Sequence, residues 1–131
     1  MIEIYAGQSL LLYKPKPGQK DHCFVVLTEP CGEPAKVVIA NFTSVTPTSD
    51  PTLVLDVGDH PYLKKLSAVN YGDAVVTEVG NLQALLAINK QFLLKNCDCP
   101  KTTLDKMRKG VLRSDRTPEG VKEYWRETQG Q

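Results

Sequence analysis

Residues 22–44 read HCFVVLTEPCGEPAKVVIANFTS, and the fold follows from how that stretch is parsed. Cys23 to Thr28 is short, apolar and rich in β-branched and aromatic residues, and Lys36 to Thr43 is the same. Between them Glu29-Pro30-Cys31-Gly32-Glu33-Pro34 gathers two prolines and a glycine, a turn cluster. Two such runs around such a cluster predict a β-hairpin. Neither run alternates apolar with polar, so both strands are expected to be covered on both faces. Antiparallel pairing makes the open ends of a hairpin neighbours in space. His22, Thr43 and Ser44 therefore form one polar cluster at the sheet edge, an imidazole beside two hydroxyls.

Working outward, residues 2–13 suggest a short strand, then Gly7, then a helical turn or second strand. Lys14 to Lys20 is a polar loop whose two prolines exclude a helix interior. After the hairpin, Val45 to Pro51 reads as a loop and Thr52 to Val57 as a strand. Gly58-Asp59-His60-Pro61 turns the chain, and Tyr62 to Leu66 is a helical turn or an irregular connection. Ser67–Tyr71 and Ala74–Glu78 read as two short strands separated by Gly72-Asp73. From Asn81 the pattern becomes helical up to Lys95, with a strand over Phe92–Leu94 as the alternative. Thr102 or Thr103 is placed to cap a helix whose apolar face is Leu104, Met107, Val111 and Leu112. Thr117 as cap and Pro118 at the first helical position start a last short helix through Tyr124 and Trp125. The whole predicts one domain over residues 1–131. Its β core is residues 1–80 and its helical part residues 81–131: a mainly β (α+β), small, curled antiparallel sheet with C-terminal helices packed on it.

Composition narrows the function. The chain has 131 residues, 41% hydrophobic and 24% charged, with a net charge of +1, so it is not globally basic like many nucleic-acid binders. Basic residues are nevertheless concentrated after Lys101, where all the arginines lie: Arg108, Arg113, Arg116 and Arg126. A solvated helix face explains such a cluster, and so does a nucleic-acid surface. No apolar run approaches the ~20 residues of a membrane helix, and Met1 to Ile4 lacks the form of a signal peptide. A cytoplasmic protein with free thiols and no membrane partner is expected. Cys97-x-Cys99 lacks the paired, wider knuckles of structural zinc, so no metal and no cofactor is expected. Neighbours on a strand point to opposite faces, which separates Cys23 from His22 as a nucleophile pair. No glycine-rich phosphate loop occurs.

Three strings, in order, resemble the PemK/MazF-like family, the small SH3-like-barrel toxins of toxin–antitoxin systems. That family opens a strand with a basic residue, usually arginine-proline, before a run of the type V-V-V-L-S; here His22-Cys23-Phe24-Val25-Val26-Leu27-Thr28 stands there. The family's next strand ends in Thr-Ser; here it is Thr43-Ser44. A later segment of leucine, basic residues, serine and apolar residues is similar to Leu63-Lys64-Lys65-Leu66-Ser67-Ala68-Val69. The resemblance covers residues 20–75. It departs where histidine replaces arginine-proline and where the family's Gly-Asp-Ile/Val-Trp opening is missing, with Tyr5-Ala6-Gly7 in its place.

The resemblance implies an SH3-like barrel acting as a metal-independent endoribonuclease on single-stranded RNA, restrained by an antitoxin protein and acting as a homodimer. In such a reaction the ribose 2′-hydroxyl attacks the adjacent phosphate, which needs a base, an acid and donors to the phosphorane. His22 is the acid–base candidate, because imidazole as a type titrates near neutrality. Thr43 and Ser44 are the candidate catalytic donors to phosphate. Lys64, Lys65, Ser67 and His60 are the candidate substrate-binding residues. Each also has a plainer reading. His22 is a strand-edge residue, Thr43-Ser44 and Ser67 cap strand ends, and His60 is a turn residue with its ring bonded to nearby backbone. The alternative function is a non-catalytic barrel module that binds a protein or nucleic acid in phage or mobile-element biology. A third is an assembly protein, in which His22, Thr43 and Lys64 point apart. Tyr5, Tyr13, Tyr62, Tyr71, Tyr124 and Trp125 are candidates to stack bases, with Arg108, Arg113 and Arg116 beside them if they border a common groove.

Overall fold

A computed structural model describes residues 2–12, 22–89 and 92–130; Tyr13 and the expected loop from Lys14 to Lys20 lie outside them. The hairpin is its centre. β2 (His22–Val26) pairs antiparallel with β3 (Lys36–Ser44), with Phe24 opposite Asn41 and Val26 opposite Ile39. The turn closes through reciprocal backbone bonds between Cys31 and Lys36, 3.0 and 2.9 Å. Gly32 adopts φ 90° there, a conformation that a side chain would strain. β1 (Ser9–Leu12) lines the outer edge of β2, so the strand of the first segment falls after Gly7 rather than before it.

On the other side of β3 runs β5 (Ser67–Glu78), twelve residues long. It was expected as two strands broken at Gly72-Asp73, and the structure corrects this. Ile39 faces Val75 and Asn41 faces Asn70, so residues 71–74 of β5 bulge opposite Ala40 alone. The Asn70 amide donates to the Asp73 carboxylate across the bulge, 2.9 Å. The turn signal marks a real irregularity, but pairing resumes with the same partner, as bulges allow. β4 (Val54–Leu55) is shorter than the expected 52–57 and pairs only with the start of β5. The order β1-β2-β3-β5-β4 makes a curled antiparallel half-barrel, the mainly β class with C-terminal helices read from the sequence.

Helices cover both faces of this sheet. α1 (Val79–Ile88) lays Leu82 and Leu86 against Phe24, Val26, Val37 and Ile39. α2 (Lys101–Arg113) and α3 (Glu119–Gln129) bring Met107, Val111, Val121 and Trp125 to the other face, against Val25, Val38, Ala40, Phe42 and Tyr71. That is why β2 and β3 read as continuous apolar runs: each contributes to two cores. Phe92–Leu94 forms no strand, only a bridge from Leu93 to Leu10 that covers the β1 edge. Neither expected threonine caps α2, whose N-cap is Pro100. Thr103 lies inside the helix, buried, and its hydroxyl donates to the Asp59 carbonyl at 2.6 Å. Pro118 rather than Thr117 is the N-cap of α3, and the buried Thr117 hydroxyl has no partner among the described residues. No helix among the described residues is long and apolar enough to cross a membrane.

Candidate functional site

Where the hairpin opens, the sheet leaves a groove of about 620 Å³. β2 supplies His22, the end of β3 supplies Phe42, Thr43 and Ser44, and the start of β5 supplies Ser67. The loop from Pro61 to Lys65 forms the facing wall, and Cys97 closes one side. Register explains the convergence. Phe24 opposite Asn41, carried two residues outward, sets His22 across from Thr43, while Ser44 is paired with Ser67. Lys64 and Lys65 are exposed, and no ion pair among the described residues engages either. The groove thus brings together His22, Thr43, Ser44, Lys64, Lys65 and Ser67.

Their hydrogen bonds assign them different capacities. His22 Nδ1 lies 3.4 Å from the Phe42 carbonyl. A carbonyl only accepts, so this contact places a hydrogen on Nδ1. Ser67 is buried, and its hydroxyl donates to the Lys65 carbonyl at 3.0 Å, so it braces the lysine loop from beneath.

His60 does not line the groove. Its side chain is 1% exposed and lies under the wall. Nδ1 accepts the Tyr62 N–H at 3.0 Å, so Nε2 bears the proton and donates to Ser9 Oγ at 2.8 Å. The Ser9 hydroxyl in turn donates to the Cys97 carbonyl at 2.6 Å. This buried Ser9–His60 pair has the look of a nucleophile and its base, but the proton is on the wrong nitrogen. A base must present an unprotonated Nε2 to the hydroxyl. Burial pushes His60 below the ordinary histidine range, partly opposed by the charge of Asp98. The backbone-bonded turn reading is the one its geometry matches.

Ionisation of three of the four thiols, Cys23, Cys97 and Cys99, is suppressed by their environment. Burial raises Cys23 strongly, with nearby Cys97 adding to it, and pushes Cys99 up to about 12. Cys97 is raised by burial and by Asp98, with Lys64 opposing. Since the thiolate is the nucleophile, none of these three is poised for attack. Among the described residues no group of three or more His, Cys, Asp or Glu is arranged to hold a metal ion.

The aromatic and arginine candidates mostly lie elsewhere. Of the expected stacking residues that the structure describes, Tyr62 alone lines the groove; Tyr13 lies outside the described residues. Tyr71 is fully buried, and Tyr5 is bonded to Asp98. Arg108 lies over Trp125 at 5.1 Å and donates to the Leu27 carbonyl and to Gln129, beside a separate cleft of about 250 Å³. Arg116 donates to the Thr48 carbonyl at 2.7 Å, and Arg113 lies on α2, outside the groove lining. Sequence reasoning missed Ser9, Phe42 and Leu63. A buried serine and apolar wall residues carry no local signal that separates them from core.

No protein-family model and no curated protein matches the chain. The likeness to PemK/MazF-like toxins rests on the strings themselves.

Proposed function

We propose that this groove cleaves single-stranded RNA without a metal, as a toxin-like endoribonuclease of the PemK/MazF-like kind. One observation carries the reading: a single groove collects His22, Thr43, Ser44, Lys64 and Lys65 from separate parts of the chain. In the reaction His22 Nε2 takes the proton of a ribose 2′-hydroxyl. The 2′-oxygen bonds to phosphorus, and the bond from phosphorus to the 5′-oxygen breaks. A 2′,3′-cyclic phosphate and a free 5′-hydroxyl end result, the leaving oxygen taking its proton from water in the open groove. The Thr43 and Ser44 hydroxyls donate to the phosphorane oxygens, and Lys64 and Lys65 offset its charge. They do so as point charges, without arginine's bidentate fork. Restraint by an antitoxin protein, a homodimeric state and a cytoplasmic location belong to the same proposal.

A second reading has its own support. His22 is the lone imidazole in the groove lining, and it stands where the family has arginine-proline. A non-catalytic module binding RNA or protein in the same groove is consistent with that reduced set. The deciding experiment incubates the protein and a His22→Ala variant with mixed-sequence single-stranded RNA in EDTA, from about pH 6 to about pH 8. Fragments with cyclic-phosphate ends, lost in the variant, are the expected result. Intact RNA throughout would leave the binding module, and cleavage persisting in the variant would remove His22 from the chemistry.

A further inference from the structure

We propose that His60 is the positioning residue of the groove, a buried latch that joins three of its walls and releases the lysine-bearing wall when it takes up a proton. The inference rests on the groove being the working site, but its structural half stands by itself.

The ring reaches each wall by a different contact. Its Nδ1 holds the Tyr62 N–H, and its own carbonyl holds the Leu63 N–H at 3.0 Å, which fixes the loop leading to Lys64 and Lys65. Its Nε2 reaches Cys97 through Ser9. Its edge packs against Phe42, centroids 5.1 Å apart at 66°. Phe42 is also the residue whose carbonyl orients His22. One side chain therefore sets the spacing between the acid–base candidate and the two lysines.

Protonation breaks this arrangement at one atom. A hydrogen on Nδ1 would face the hydrogen of the Tyr62 amide, donor against donor, at a ring that is itself buried. The Nε2–Ser9–Cys97 side keeps its donor and survives. The loop from Pro61 to Lys65 is thus the part that lets go, because it is the exposed side of the broken contact while the ring stays held by Ser9 and Phe42. Charged and titratable groups near the ring come from several elements. Asp98, after α1, favours the protonated ring. The Asp59 carboxylate is engaged by the Asp56 N–H at 2.8 Å. Cys23 on β2 and Cys97 are thiols whose ionisation is suppressed. Lys64, Lys65 and His22 stand on the groove side, and α2 presents the uncharged Thr103 hydroxyl to Asp59.

The test is hydrogen exchange of the full chain read by mass spectrometry, comparing about pH 7.5 with about pH 5, rates corrected for intrinsic exchange, in the wild type, His60→Asn and His60→Gln. Asparagine keeps an acceptor near the Nδ1 position and does not titrate; glutamine keeps a donor toward Ser9 and removes the acceptor that His60 Nδ1 offers the Tyr62 amide. In the wild type the peptide covering residues 61–66 should lose at least about tenfold of its protection at the lower pH while a β3 peptide stays protected. His60→Asn should hold the loop at both pH values, and His60→Gln should leave it open at both. Equal wild-type protection at the two pH values, the same pH dependence in His60→Asn, or parallel loss in the β3 peptide would each overturn the latch. If this exchange pattern holds while RNA is neither bound nor cleaved, the latch stands and the ribonuclease reading falls.

Discussion

Gly110 of α2 is a site where two physical effects of opposite sign can be separated. A glycine in a helix interior costs about 1 kcal/mol relative to alanine, so Gly110→Ala should stabilise the protein if nothing else intervenes. The structure says that something does. A Cβ on Gly110 would fall 2.0 Å from the Tyr71 hydroxyl oxygen, 2.5 Å from Cζ and 3.0 Å from Cε2. Tyr71 cannot retreat cheaply: it is fully buried at the β5 bulge, and its hydroxyl donates to the Met107 carbonyl one turn earlier in the same helix, 2.8 Å. Overpacking of this kind costs about 1–3 kcal/mol, and loss of the hydroxyl bond about 1 more. Set against the helix gain, the net is a loss of about 1–3 kcal/mol. Urea denaturation of Gly110→Ala should show that loss as a lowered midpoint with an unchanged slope. In a Tyr71→Phe background the 2.0 Å contact is gone but the 2.5 Å one remains, so rescue should be partial. In a Tyr71→Leu background the same alanine should be neutral or stabilising, a coupling of about 1–3 kcal/mol. A Gly110→Ala protein as stable as the wild type would refute the packing account of how α2 is seated.

Lys64→Ala and Lys65→Ala should each weaken binding to single-stranded RNA and reduce the slope of log affinity against log salt by about 0.7, measured by fluorescence anisotropy; an unchanged slope would remove that lysine from the site. Burial by itself would raise the Asp50 carboxyl, but hydrogen bonds from Ser114 and Thr52 and the charge of Arg116 together hold it below the usual carboxylate range. The unfolded chain therefore binds the proton first as pH falls, and the stability Asp50 contributes should disappear below about pH 4. Asp50→Asn should be less stable at neutral pH and should flatten that acid limb in denaturant titrations, whereas an acid limb identical to the wild type would show that another carboxylate governs it. Alkylation followed by mass spectrometry should modify exposed Cys31 first and Cys97 more slowly, with buried Cys23 and Cys99 reacting only on unfolding; RNA that occupies the groove should protect Cys97 and leave Cys31 unaffected.

The hairpin was legible because its signals agree at every level. Two β-rich runs, a turn with glycine where φ is positive, and apolar residues at both parities all demand the same pairing. The bulge in β5 was not legible. Gly72-Asp73 is a turn signal by any local criterion, and only the length of β3 as a partner keeps the strand in register on both sides of it. The helix starts failed for a related reason. Thr103 has the chemistry of a cap, but the Asp59 carbonyl offers its hydroxyl a tertiary partner and Pro100 takes the cap position. Local preference is a weak prior against such a competitor.

At the groove, the limit of sequence reasoning lies in the positions of hydrogens. His22, Thr43 and Ser44 converge because the two open ends of a hairpin must, whatever the rest of the chain does. Lys64 and Lys65 sit in a loop without period, and only the likeness of the strings pointed to them. The two histidines then separate on a distinction that no local pattern carries. His22 Nδ1 meets a carbonyl, which places a hydrogen there, and the residue lines the groove. His60 Nδ1 meets an amide hydrogen, which sends its own hydrogen to Nε2 and onward to Ser9. A ring nitrogen facing an acceptor carries a hydrogen, and one facing a donor keeps its lone pair. Which atom of a ring carries the hydrogen is decided by the group that the fold brings up to it, a carbonyl of the neighbouring strand for His22 and an amide of its own turn for His60.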